Sequence, residues 1–148
     1  MSERYHGYSA ESGVAEPTGE AADWFRQSLQ LLDVGNPAAA AQLLVRVAKQ
    51  TPESRQVLEA LARAHFDGGQ YGDAMESFAR LAAVSPDDDY AQFGWGLTAA
   101  RLGQWDAAVQ HLQLATSMRP EIRHYANALR AARSTLREQS GKHGLADL

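Results

Sequence analysis

A step of 34 residues organises this chain. Tyr71, Ala74, Phe78 and Pro86 have counterparts one step earlier at Pro37, Ala40, Leu44 and Pro52, and one step later at Trp105, Ala108, Leu112 and Pro120. Gly35, Gly69 and Gly103 keep the same interval. Glycine, bulky, small and proline positions thus recur together and in the same order, and three prolines at one spacing are hard to obtain by chance. A fixed period of about 20–50 residues marks a solenoid, in which each unit buries its apolar face only against its neighbours. The pattern covers residues 21–120. It names an architecture and not a reaction.

Within each unit the punctuation predicts two helices. Gly35-Asn36-Pro37 ends one helix and opens the next, since Gly suits a left-handed exit and Pro suits a first turn. Helices are expected near residues 21–34, 37–50, 54–68, 71–84, 88–102, 105–118 and 121–139, with no strand. The units then lie at 21–53, 54–87 and 88–120. In the middle unit the small Ala62 and Ala74 let two helices approach closely, while Phe78 and Leu81 fill the space between units. Asp87-Asp88-Asp89 follows Pro86 and reads as a helix start, where acids cap free amides and face the positive end of the dipole. Gly94-Trp95-Gly96 lies inside an expected helix, so its glycines serve close packing. After Pro120, Ile122, Tyr125, Leu129, Ala132 and Leu136 form one apolar stripe, with Arg123, Arg130, Arg133 and Arg137 on the opposite side. This helix is expected to cap the array. Residues 1–20 carry four glycine or proline residues, no helical period and a surplus of acids, which predicts a disordered acidic tail. Residues 140–148 hold two glycines and no period and are expected to be flexible.

Composition narrows the functions. A hydrophobic fraction of 45% is too high for a disordered chain. The absence of Cys excludes disulfides, thiolate zinc sites and thiol nucleophiles together. A net charge of −4 weighs against nucleic acid as a partner. No apolar run approaches the roughly 18 residues needed to span a membrane. The first residues lack a basic region followed by an apolar stretch, so no secretory signal is read there and the cytoplasm is the expected location. No zinc-protease, nucleophile-elbow, phosphate-loop or dinucleotide motif occurs, and His6, His65, His111, His124 and His143 show no paired spacing. No catalytic residue, metal or cofactor is expected. His65 reads as a packed, hydrogen-bonded ring.

The period, with its order of Gly, aromatic, Ala, bulky and Pro, resembles the tetratricopeptide repeat (TPR). Trp24 stands where the family signature has its tryptophan, and Trp95 and Gly96 take its leucine and glycine places. Gln92 departs from the tryptophan place in the third unit. Gln27 and Ser28 depart in the first, a polar choice that suits a terminal repeat with one face open to water. The resemblance implies an all-α, right-handed solenoid of three antiparallel helix pairs plus a C-terminal capping helix over residues 21–139. It also implies that the first helix of each pair lines a concave surface. Carried over residue by residue, that surface shows Phe25 and Leu29, then Glu59, Arg63 and Phe66, then Tyr90, Phe93, Leu97 and Arg101, with Asn127 on the last helix.

Some TPR domains hold C-terminal carboxylates through a clamp of Lys, Asn and Arg. The corresponding places here hold Phe25, Leu29, Ala60, Tyr90 and Gly94, so the clamp is absent. What remains is an expected open groove, apolar and aromatic with a few charges, in a non-catalytic adaptor that holds a partner's peptide or helix. Two other readings stay open. Three repeats with flanking helices resemble the small TPR chaperones of bacterial secretion systems, which shield apolar segments of client proteins. The Arg row of the last helix suggests an anionic partner, which the acidic remainder of the chain opposes. The segment 1–20, with Tyr5, His6 and Tyr8 as its bulky side chains, is a candidate for the groove of its own chain or of a neighbour, which would be self-association.

Overall fold

The computed structural model describes residues 16–146. Among them are seven helices and no strand: α1 (Gly19–Asp33), α2 (Pro37–Gln50), α3 (Arg55–Asp67), α4 (Tyr71–Val84), α5 (Asp89–Arg101), α6 (Trp105–Met118) and α7 (Arg123–Ala146). Each packs chiefly on the helices before and after it in the chain. That is the nearest-neighbour contact pattern of a solenoid.

Glycine closes each hairpin in the same way. Gly35, Gly69 and Gly103 hold φ of 81°, 75° and 74°, a left-handed conformation that costs a side-chain-bearing residue free energy. In each case the next residue's N–H reaches back to the helix. Asn36 donates to the Leu31 carbonyl, Gln70 to that of His65 and Gln104 to that of Ala99, all at 2.8 Å. The links between pairs also repeat. Ser54 Oγ accepts from the Val57 amide and Asp88 Oδ1 from the Ala91 amide, one step of the repeat apart, so α3 and α5 start on the same capping geometry. The expected cap within Asp87–Asp89 is therefore Asp88.

Packing between pairs follows the repeat. Ala40, Ala74 and Ala108 are fully buried, as are Leu44, Phe78 and Leu81, with Leu112 nearly so. Gly94 and Gly96 are the contact points of α5. A Cβ at Gly94 would lie 2.1 Å from Phe78 Cε1, and one at Gly96 2.7 Å from Leu112 Cγ. Close approach is thus what these glycines provide.

Three expectations need correction. Ser28 was expected on a water-facing side, yet it is fully buried and donates from Oγ to the Trp24 carbonyl at 2.8 Å. It occupies the register of Ala62 and Gly96, where small size decides and the hydroxyl is satisfied by its own helix. Gln27 is exposed. The last helix was expected over 121–139 with an irregular 140–148; it begins at Arg123 and continues to Ala146. No proline interrupts it, and its two late glycines cost about 1 kcal/mol each relative to Ala, which lowers helicity without forbidding it. The tail expected over 1–20 lies mostly outside the described residues, and Gly19 and Glu20 already belong to α1.

The stripe of α7 docks as expected. Tyr125, Leu129 and Ala132 are buried, and Ile122 is half-buried against the α5–α6 pair. Arg123, Arg130, Arg133 and Arg137 are exposed, with Arg133 donating to Gln113 Oε1 at 3.0 Å. No helix among the described residues is long and apolar enough to cross a membrane.

Candidate functional site

The first helices α1, α3 and α5, followed by α7, bring the expected residues onto adjoining elements. Their exposure divides the surface into three zones. Phe25 and Leu29 are half-buried against the core of the first pair. Glu59, Arg63, Tyr90 and Phe93 are buried. Phe66 and Leu97 are half-buried, while Arg101 and Asn127 are exposed.

The expectation of an open aromatic groove is therefore corrected at its centre. Phe93 stacks on Tyr125 of α7 with ring centroids 4.4 Å apart and meets the His124 ring edge-on at 5.3 Å. Tyr90 packs against Phe78 of α4 at 5.9 Å. Both rings are drawn into contacts with adjoining layers, Tyr90 with the preceding pair and Phe93 with α7, because a residue on a first helix also faces the stacking helix of its neighbour. Burial is the main cause that pushes the Tyr90 phenol well above its usual range, followed by the negative charge of Glu59, so the ring keeps its proton at neutral pH.

At the C-terminal end of α3 and α5 a different arrangement reaches solvent. The Arg101 guanidinium lies 5.7 Å from the Phe66 ring centre and 5.8 Å from that of Tyr71, and the two rings meet edge-on at 5.4 Å. Leu97 sits one turn before Arg101 on α5. Arg63 pairs with Asp67 at 3.5 Å along the same edge of α3. This cluster offers an apolar floor, a cation with a free aqueous side and a neighbouring carboxylate, which suits an extended segment or a helix carrying both apolar and acidic groups.

At the N-terminal end lies a polar row that the sequence reading did not assemble. Arg55 Nε donates to Asp88 Oδ2 at 3.1 Å. Asp89 accepts from the Tyr125 hydroxyl at 2.6 Å and lies 3.9 Å from Arg119. The signal was present: Arg55 and Asp89 occupy the same register one repeat apart, so opposite charges there fall on neighbouring helices. Asp88 caps α5 and also pairs with α3, so one carboxylate closes a helix end and ties two repeats.

Two histidines lie between paired helices, away from this face. His65 Nδ1 is 3.2 Å from Ser77 Oγ, as a packed ring should be. His111 stacks on Trp95 at 3.9 Å and its Nδ1 donates to Gln92 Oε1 at 2.8 Å. Gln92, the departure in the third unit, thereby serves as a hydrogen-bond partner. Burial is the first cause that lowers the pKa of both rings, opposed at His65 by Asp73 and then Glu76. A cleft of about 290 Å³ lies on this side, bordered by Lys49, His65, Asp73 and Arg80. Among the described residues no group of three or more His, Asp or Glu could hold a metal ion.

Comparison with known proteins bears on the fold. Two tetratricopeptide repeat models match, one over residues 31–100 and one over residues 90–121. Among solved structures, the first TPR domain of Spaghetti (RPAP3) bound to the HSP90 peptide SRMEEVD is 15% identical, at a TM-score of 0.76 over 84% of this chain and 98% of that one. MamA is 19% identical, at 0.75 over 83% and 73%. The type III secretion translocator chaperone SycD of Yersinia enterocolitica is 15% identical, at 0.72 over 80% and 96%. At these identities the likeness is one of fold. No curated protein matches the chain.

Proposed function

The chain belongs to the tetratricopeptide repeat family, and on that premise we propose that it is a non-catalytic adaptor that holds a peptide or helix of a partner protein on its concave face. The observation that carries this reading is the cluster where α3, α4 and α5 meet, in which the exposed Arg101 lies over the half-buried Phe66 and Tyr71 beside Leu97. Aromatic and Arg side chains supply most binding energy at protein interfaces, and a guanidinium over a ring is already positioned for an acidic group. The buried centre holds the face rigid, and the ends do the recognising. A client-shielding chaperone would need a continuous apolar groove. The withdrawal of Tyr90 and Phe93 into the core favours the adaptor over that alternative. A face with so few exposed anchors fits a contact at or below standard interface size, and hence a transient one.

Capture of partners from native cell extract tests the reading. Arg101→Glu combined with Leu97→Ala should reduce capture about tenfold while the helical circular dichroism signal is unchanged. Arg130→Glu with Arg137→Glu, on the opposite side of α7, should leave capture unchanged. If the α7 pair abolishes it and the α5 pair does not, the working surface is the Arg row.

A further inference from the structure

The middle of the concave face buries charge as well as aromatic rings. Glu59 and Arg63 are 0% and 5% exposed. Yet α3 meets its flanking first helices α1 and α5 only sparsely, its main contacts being with α2 and α4. Charged side chains are almost never buried to this degree unless they are paired, as Arg63 is with Asp67. A second observation shows where a cover can come from. Gln56 Nε2 donates to Glu16 Oε1 at 3.5 Å, so the chain reaches α1 by passing the first turn of α3. Gln56, Glu59 and Arg63 follow one another at helical spacing, which puts that entry point on the same face.

We propose that residues 1–15 of this chain dock in cis along the concave face, across α3 and α5, as a built-in occupant that a partner must displace. The proposal rests on the concave face being the working surface, and it adds how that surface is regulated. Fifteen residues extend to roughly 50 Å, and α3 with its 13 residues is about 20 Å long, so the tether is ample from Glu16. The segment offers what the face can hold. Tyr5 and Tyr8 bring large apolar area with a polar tip to the half-buried Phe66 and Leu97, and Glu3, Arg4 and Glu11 alternate in sign as Glu59, Arg63 and Asp67 do. A tethered segment acts at an effective concentration in the millimolar range, so weak individual contacts are enough to keep it bound while a better partner can still replace it.

The absence of Cys makes a direct test simple. A nitroxide attached to the full-length Ser9→Cys variant should broaden the amide signals of Glu59, Arg63 and Leu97 and spare those of the convex α4 and α6. Mixing spin-labelled unenriched chain with isotope-enriched unlabelled chain should abolish the broadening. Tyr5→Ser with Tyr8→Ser, in the same labelled chain, should cut it by more than half. Unaffected α3 and α5 signals, or broadening centred on α4 and α6, overturn the proposal. Broadening that persists in the mixed sample overturns it in favour of the segment of a second copy. None of these readings needs a partner, so failure here leaves the adaptor reading to its own capture experiment.

Discussion

The interface between the first and second repeats and that between the second and third occupy one register, yet they are built from different sizes. In the first, Leu44 of α2 and Ala60 of α3 share a buried cluster. In the second, the corresponding places hold Phe78 of α4 and Gly94 of α5, with the ring lying where a Cβ on α5 would be. The larger residue on one helix is matched by the smaller on the next. A solenoid can therefore change side chains at its seams provided the summed volume across each seam is kept, which is the packing rule of any close-packed core. The same two repeats also exchange sides for their histidines. His65 comes from the first helix of its pair and bonds Ser77 of the second, while His111 comes from the second helix and takes the register of Ser77.

Three experiments break or sharpen this comparison. The largest effect is expected for Phe78→Ala, which removes a fully buried ring from the second seam and should cost about 3–5 kcal/mol. Loss of helical signal on heating should remain one transition, and an unchanged Tm would place Phe78 outside the core. Next, Gly94→Ala forces a methyl into the Phe78 ring and should cost about 1–3 kcal/mol. Phe78→Leu with Gly94→Ala rebuilds the first seam's pairing within the second. The double variant should be more stable than the sum of its parts by about 0.5–3 kcal/mol, and strict additivity would show that the seams are not interchangeable. The smallest effect concerns the histidines. Both have pKa values below the ordinary imidazole value, chiefly through burial, so as pH falls the unfolded chain binds these protons first. Their contribution to stability is intact above about pH 6.5 and is lost as the pH falls through it toward the folded values. Tm should fall between about pH 7.5 and pH 5.5, and His65→Gln with His111→Gln should flatten that fall.

The amino-acid sequence by itself determined where the six repeat helices start and stop, to within two residues, because those choices are local, whereas the far end of α7 carries no such stop signal and was not legible. A left-handed turn takes Gly, a first turn takes Pro, and a cap needs an Asp or Ser three residues before a free amide. Gly69, Pro37, Ser54 and Asp88 all act through neighbours within one turn. The repeat also made the buried Ala74, Phe78 and Leu112 legible, since a period assigns one face to every unit at once. Only the tertiary structure decided which concave residues meet water. Tyr90 and Phe93 belong to the inner face by register, but their exposure depends on how far Phe78 and Tyr125 of the adjoining layers reach toward them, and that distance is set by side chains about 12 and 32 residues away. Asp89 likewise reads as a helix-start acid alone and as an interlayer ligand only once α7 has brought the Tyr125 hydroxyl within 2.6 Å. Local conformation is written in short-range sterics and hydrogen bonds, whereas exposure is a property of the whole stack.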